Sequence, residues 1–478
     1  MEQSLMLVTD FYEYSMAYTY FKEGKENEIA YFDVFVRTIP DKGGYYVFNG
    51  LHKFINFVQE FSYSEEQIDY LRSTKQFDEE FLSYLANIKL NIDMWSVPEG
   101  TPVFANEPVI TVKGSLVEAQ IVESVLLQCI NYSSLVTTKA SRIVRAARGK
   151  AILEFGTRRA HGYDASIEGA RAAVVAGCEG TACTEAGRKY DIPVSGTMAH
   201  SLIQVYNDEY EAFLAFARHN PENSVFLVDT YDTLRSGVPN AIKVANDYLI
   251  PNGYRLKGIR LDSGDLAYLS KKTREMLDNA DMHDAKIIVS NSLDEFIIDD
   301  LLLQGAQIDI FGVGENLITS KSSPVLGGVY KVVATEKGNE IIPTIKVSNN
   351  IEKITNPGYK KLYRFYDKDS NMALADLIAL AHETIAETEY EIFDPIAPWK
   401  RKTLTNYIAK ELQVPIFEKG KLVYQMPTTK EVITYHQKQM DTLWDEVKRL
   451  RFPHDYYVDL SQELWDLKNA LLEEKSIK

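Results

Sequence analysis

The sequence predicts an α/β protein: an irregular (β/α) barrel, an N-terminal mixed α+β domain before it and a C-terminal helical extension after it. Three observations carry this. Between residues 151 and 312 short apolar runs alternate with longer helical ones, the pattern of parallel strands joined by crossover helices. The first 150 residues mix strand-like and helical patterns without a repeating unit, and the chain ends in two amphipathic helices. With 478 residues, 45% hydrophobic and 25% charged, there is material for roughly two or three domains.

In chain order, Tyr31 to Arg37 reads as a strand, GGYYVFNGL as a turn into buried structure, and three short helical stretches follow. Residues 93–114 carry Pro and Gly around short β-branched runs, which predicts turn-linked strands. A long amphipathic helix is expected from Leu116 to Arg148, weakest near Ser133-Ser134 and Thr137-Thr138. The barrel strands are AILEF (151–155), one near Cys178, PVSGT (193–197), VFLVD (225–229), KGIRLD (257–262), KIIVS (286–290) and IDIFG (308–312). Helices fall at Ser201 to Arg218, Asp265 to Asn279 and Leu293 to Leu303. About seven such units suit a closed or nearly closed barrel. The resulting domains are 1–150, completed by about 330–367, then 151–329, then 368–478. The last contains one helix with the stripe Val432, His436, Met440, Leu443, Val447 and Leu450, and another with Leu464, Leu467 and Leu471; both stripes are core.

Lys plus Arg number 52 and Asp plus Glu 68, a formal net charge of −16. That balance argues against a nucleic-acid or anionic-membrane partner. MEQSLMLVTDFYEYS has no basic region ahead of an apolar run, and no stretch approaches the roughly 18 to 20 apolar residues of a membrane span. Cys129, Cys178 and Cys183 are too few for a disulfide framework or a zinc site, so free thiols in the cytoplasm are expected.

Barrel active sites are built at the C-terminal ends of the strands, so the residues just past each strand are informative. They are Gly156-Thr157-Arg158-Arg159, Glu179-Gly180-Thr181, Met198-Ala199-His200-Ser201, Asp229-Thr230-Tyr231-Asp232, Asp262-Ser263-Gly264-Asp265, Asn291-Ser292 and Gly312-Val313-Gly314. Paired arginines can fork onto phosphate. Ser292 before a helix and the glycines of GVG can expose amide hydrogens to an anion. Acids among these groups suit Mg²⁺ or ribose hydroxyls. His200 follows a strand and opens a helix, where a phosphate on its ring would meet the helix N-terminus. Each feature has a plainer alternative: Asp229, Asp262 and Asp265 as helix caps, the arginines paired with surface acids, GVGENL as an ordinary turn. Their coincidence at one rim favours the functional reading.

The motifs LVTDFYEYSMAYTYF, FDVFVRTIPDKGGYYVFNGL, EFGTRRAHG, SGTMAHS, LVDTYDT, GIRLDSGD and FGVGENLITS, in this order, resemble the nicotinate phosphoribosyltransferase family from about Leu5 to Asp367. The resemblance implies a type II phosphoribosyltransferase fold and the joining of nicotinate to 5-phosphoribosyl 1-diphosphate. Nicotinate mononucleotide and diphosphate result, on a salvage route to NAD, with ATP hydrolysis coupled through a phosphohistidine at His200 and with Mg²⁺. It also implies a homodimer in which Tyr12 reaches the partner's site. By motif, Phe155 would stack on the pyridine opposite Tyr12, and Arg158 would hold phosphate. Arg260 would meet the nicotinate carboxylate or ring, with Thr197 nearby, and Asp262 would bind ribose hydroxyls or help hold Mg²⁺. Gly312, Gly314 and Thr319 would cradle phosphate; the metal ligands stay unassigned. Nicotinamide-using relatives carry an Asp where this chain has Ala182, and its absence favours the acid.

Overall fold

The computed structural model describes residues 5–338, 340–350 and 353–476. They divide into two units, 1–135 with 325–478, and 136–324. Among the described residues no helix is long and apolar enough to cross a membrane.

The 136–324 unit holds six strands: β1 (Ala151–Glu154), β2 (Gly180–Thr181), β3 (Val225–Leu227), β4 (Gly258–Leu261), β5 (Lys286–Val289) and β6 (Ile310–Val313). All pair in parallel, in the order β2-β1-β6-β5-β4-β3. First strand therefore pairs with last, which is how a barrel returns on itself. PVSGT shrinks to a single parallel bridge between Val194 and Thr181 at the β2 edge. Pro193 has no amide hydrogen and Gly196 no side chain, so neither supports a ladder. Among the described residues, the succession of strands round the barrel is interrupted only between that bridge and β3. Residues 287–289 of β5 and 311–313 of β6 are buried consecutively, as in strands covered on both faces, whereas β1 alternates, with Ile152 and Glu154 buried.

Helix starts follow their caps. Asp265 accepts the amide of Tyr268 (3.0 Å) and opens Leu266–Asn279. Asp294 accepts those of Phe296 (2.9 Å) and Ile297 (2.8 Å) and opens Glu295–Leu303. Asp208 caps Glu209–His219, dividing the helix expected from Ser201 to Arg218 and leaving only His200–Gln204 before it.

In the 1–135 with 325–478 unit, the central strand Ile29–Val36 lies between Gly328–Lys337 and Ile110–Ser115 in a seven-stranded antiparallel sheet. Three helices, Leu51–Gln59, Glu65–Ser73 and Glu79–Asn87, follow as the sequence suggests. The helix expected from Leu116 to Arg148 is broken at Ile121-Val122 rather than near Ser133, giving Leu116–Gln120 and Glu123–Ala146. The hydroxyl of Ser134 donates to the Asn49 carbonyl (3.0 Å) and accepts the Asn49 amide (2.9 Å). These bonds tie the hydroxyl to a residue far away in the chain. Beyond residue 368 the two expected helices are accompanied by strands: Ala373–Leu380 and Tyr407–Glu411 belong to a four-stranded sheet and Val414–Glu418 joins the seven-stranded one. The first of those helices, Thr429–Asp441, ends before Leu443 and Val447. Both nonetheless stay buried, against Tyr45, Val47 and Tyr366.

Candidate active site

Parallel strands all finish at one edge of their sheet, and a connected set of polar side chains occupies that edge. Arg260, on β4, donates Nε–H to Ser290 Oγ (2.9 Å), and Nη1–H to Thr197 Oγ1 (3.3 Å) and the Met198 carbonyl (3.5 Å). Its Nη2–H goes to Asp262 Oδ1 (3.1 Å). Four of its five N–H groups are thereby engaged, which fixes the guanidinium plane. The guanidinium carbon lies 5.5 Å from the centre of the Phe155 ring, within cation–π range. Ser290 also donates to Asp262.

Phe155 follows β1 and sits against the last strand. A methyl group at Gly312 would lie 2.5 Å from a Phe155 ring carbon, and one at Gly314 would lie 2.9 Å from the Phe155 carbonyl oxygen. Both glycines therefore make room for Phe155, a use that GVG as a motif does not announce.

His200 Nδ1 is hydrogen-bonded to Thr230 Oγ1 (3.0 Å). Its Nε2 lies 3.9 Å from both Asp229 Oδ1 and Asp262 Oδ2, with the ring 38% exposed. Asp229 is buried. Its Oδ2 accepts the Asp262 amide (2.9 Å) and the Ser263 hydroxyl (2.6 Å), while Oδ1 has no hydrogen-bond partner among the described residues. An unpaired buried carboxylate oxygen is costly. The site thus turns an unsatisfied negative oxygen and a second carboxylate toward one ring nitrogen. Among the described residues no group of three or more His, Cys, Asp or Glu side chains could hold a metal by itself. A pair of carboxylates nevertheless suits Mg²⁺, which completes its shell with water and substrate phosphates.

Glu154, at the end of β1, is fully buried. It accepts the Thr181 hydroxyl on Oε2 (2.6 Å) and the Gly156 amide on Oε1. Burial raises its carboxyl pKa, and the two donors oppose the rise.

The remaining predicted residues are placed as follows. Arg158 is exposed on the short turn Thr157–Arg159, and its neighbour Arg159 faces Glu315 at 3.8 Å. Ser292 does not open a helix whose amides are free, because Asp294 takes those of Phe296 and Ile297. Instead Asn291 (φ 101°) and Ser292 (φ 48°) form a left-handed turn. Asn316 holds it by donating to the Ser292 (2.8 Å) and Leu293 (3.1 Å) carbonyls. Thr319 donates its hydroxyl to the Glu315 carbonyl (2.7 Å). The helix at His200 has five residues, so its dipole contributes little. Tyr12 belongs to the other unit, on helix Phe11–Lys22, and is 47% exposed. Sequence reasoning missed Ser290 and Glu154 as site residues and placed Thr230 at the rim without a role; the usable signal for Glu154 was an acid at the end of the apolar run AILE.

The fold and the rim define an α/β protein with a parallel six-stranded sheet whose polar edge sets an arginine near a phenyl ring and an imidazole beside two carboxylates. Residues 151–361 match the nicotinate phosphoribosyltransferase (NAPRTase) family, residues 7–131 its N-terminal domain and residues 359–468 its C-terminal domain. The chain is 45% identical over 476 residues to nicotinate phosphoribosyltransferase of Bacillus subtilis, covering 99% of this chain and 96% of that one. It is 34% identical over 530 residues to that of Dictyostelium discoideum, covering 99% and 89%. The crystal structure of human nicotinic acid phosphoribosyltransferase superposes with a TM-score of 0.84 at 28% identity, covering 97% of this chain and 100% of that one. The chain belongs to the nicotinate phosphoribosyltransferase family.

Proposed function

We propose that this protein joins nicotinate to 5-phosphoribosyl 1-diphosphate, releasing diphosphate and giving nicotinate mononucleotide for NAD salvage, with ATP hydrolysis coupled through phosphorylation of His200. The observation that carries this reading is the sharing of Asp262. Its Oδ1 holds Arg260, whose guanidinium lies over Phe155, and its Oδ2 faces His200 Nε2. A pyridine site and a phosphorylatable imidazole therefore adjoin through one carboxylate.

In the transfer, the pyridine nitrogen forms a bond to the ribose C1 as the bond from C1 to the diphosphate oxygen breaks. Phe155 supplies one face for the ring, and the partner's Tyr12 supplies the other in a homodimer. Arg260, nearly saturated by fixed acceptors, orients its remaining N–H and its charge toward the nicotinate carboxylate. Asp262 and Asp229 stabilise positive charge growing on the ribose ring. Arg158, with the backbone near Ser292, Gly312, Gly314 and Thr319, faces the phosphates. Mg²⁺, when bound by Asp229 and Asp262, supplies charge neutralisation for the leaving diphosphate. Thr230 holds His200 at Nδ1, so that Nε2 is the nitrogen that takes the γ-phosphoryl group of ATP. The phosphoryl group adds roughly two negative charges to this rim and reorders the groups around it. Three buried free thiols agree with a cytoplasmic enzyme.

The test is an assay of the full chain with 5-phosphoribosyl 1-diphosphate, Mg²⁺ and either nicotinate, nicotinamide or quinolinate, with and without ATP. Nicotinate should be the substrate used, ATP should accelerate the reaction, and His200→Ala should lose that acceleration while keeping slow transfer. Absence of nicotinate mononucleotide, or undiminished ATP stimulation in the variant, refutes the reading.

A further inference from the structure

Glu154 takes no part in the reaction described above, yet it is a fully buried acid at the end of a barrel strand. An apolar side chain would be cheaper there, since a buried carboxylate is tolerated only when hydrogen bonds satisfy it. Its bonds run in two directions. Oε1 takes the amide of Gly156, in the turn that carries Phe155 and Arg158. Oε2 takes the hydroxyl of Thr181, at the end of β2, and Thr181 Oγ1 in turn accepts the amide of Cys183 (2.9 Å). The Glu154 carbonyl accepts the amide of Ala182 (2.8 Å). One residue thus ties the turn bearing the stacking ring to the loop bearing the position that faces the pyridine substituent. A methyl group at Gly156 would lie 2.6 Å from Ile318 Cβ and 2.7 Å from Glu154 Oε1, so this junction has no slack.

We propose that Glu154 is a positioning residue for pyridine choice: through Gly156 and Thr181 it sets the gap between the Phe155 ring and the Ala182 loop, and so the preference for a pyridine carboxylate over the corresponding amide. This rests on the function proposed above. Glu154 touches neither substrate. Its effect passes through the two loops, so it is read in the choice between the two pyridines.

The experiment is steady-state kinetics on the full-length protein and its Glu154→Gln, Thr181→Val, Thr181→Ser and Glu154→Gln/Thr181→Val variants, with nicotinate and nicotinamide, at matched thermal stability. Glu154→Gln should raise the KM for nicotinate roughly tenfold, the effect of one lost buried hydrogen bond. The ratio of kcat/KM between the two pyridines should shift toward nicotinamide by roughly the same factor. Thr181→Val should do the same, Thr181→Ser should restore the unmodified behaviour, and the double variant should be no worse than the worse single one, as expected of residues acting through one contact. Equal losses on both substrates, additive effects, or unchanged selectivity overturn the proposal. If Glu154→Gln does not fold, the Thr181 pair decides, because it alters the same contact. Failure of the unmodified protein to use nicotinate overturns the functional reading itself; normal use of nicotinate with unaltered variants overturns only the role of Glu154.

Discussion

Asp229 holds a buried carboxylate oxygen, Oδ1, 3.9 Å from Nε2 of His200, and that oxygen accepts no hydrogen bond among the described residues. The other oxygen is fully used by the Asp262 amide and the Ser263 hydroxyl. The unsatisfied charge is thus turned toward the imidazole.

Asp229→Asn keeps an acceptor for Asp262 and Ser263 but removes that charge. Formation of acid-labile phosphate on the protein from ATP should slow by roughly 10²-fold, with the melting temperature nearly unchanged. Phosphate incorporation at the unmodified rate would show that Asp229 serves only to brace the loop.

Gly312→Ala should displace the Phe155 ring, because the added methyl would fall 2.5 Å from a ring carbon. Overpacking of this kind costs about 1–3 kcal/mol. The expected result is a lower melting temperature together with a raised KM for nicotinate. A variant with the KM of the unmodified protein would mean that the ring does not stack on the substrate.

Glu13 gives a pH dependence that lies outside the barrel. Burial pushes its carboxyl up to about 7 from an ordinary 4.5, with Glu123 adding to the rise and Ser124 opposing it. The folded chain therefore binds a proton that the unfolded chain has released between those two values. Stability from this group must fall as pH rises through that window, since the unfolded state binds fewer protons there. Glu13→Gln should flatten the decline in melting temperature between pH 4.5 and about 7. An unchanged slope would assign the dependence to other groups.

Ala182→Asp places a carboxylate on the exposed residue after β2. It should repel the nicotinate carboxylate and accept hydrogen bonds from an amide, lowering kcat/KM for nicotinate by at least about tenfold while raising that for nicotinamide. Parallel assays on the two pyridines measure this directly. An unaltered ratio would mean that residue 182 does not face the substituent.

The parallel strands were legible because most are short runs of apolar residues, as KIIV, with three consecutive buried residues, illustrates. PVSGT carried the same signal, but Pro193 and Gly196 reduced it to one bridge. The break at Ile121-Val122 was hidden because both residues are apolar, whereas the hydroxyl cluster downstream is tied up by distant partners such as Asn49. His200 and Asp262 could be found from their positions after strands, whereas Arg260, inside β4, was reached only through the resemblance of its motif. The orientation of Asp229 and the clasp between Glu154 and Thr181 could not, because each depends on neighbours dozens of residues away. The strands beyond residue 368 escaped notice because the apolar stripes of the two helices dominate that region, and short strands such as Arg401–Thr405 bury a single side chain.

The missing ladder between the Val194 bridge and β3 has a mechanical meaning. His200 lies in that stretch, on a segment fastened to the sheet on one side by a single rung. What else fastens that stretch comes from side chains: Arg260 of β4 donates to Thr197 and to the Met198 carbonyl, and Thr230 after β3 is hydrogen-bonded to His200. Side-chain polar contacts thus do there the fastening that backbone ladders do elsewhere in the sheet, so substitutions at Arg260 or Thr230 act on the His200 segment as well as on their own strands.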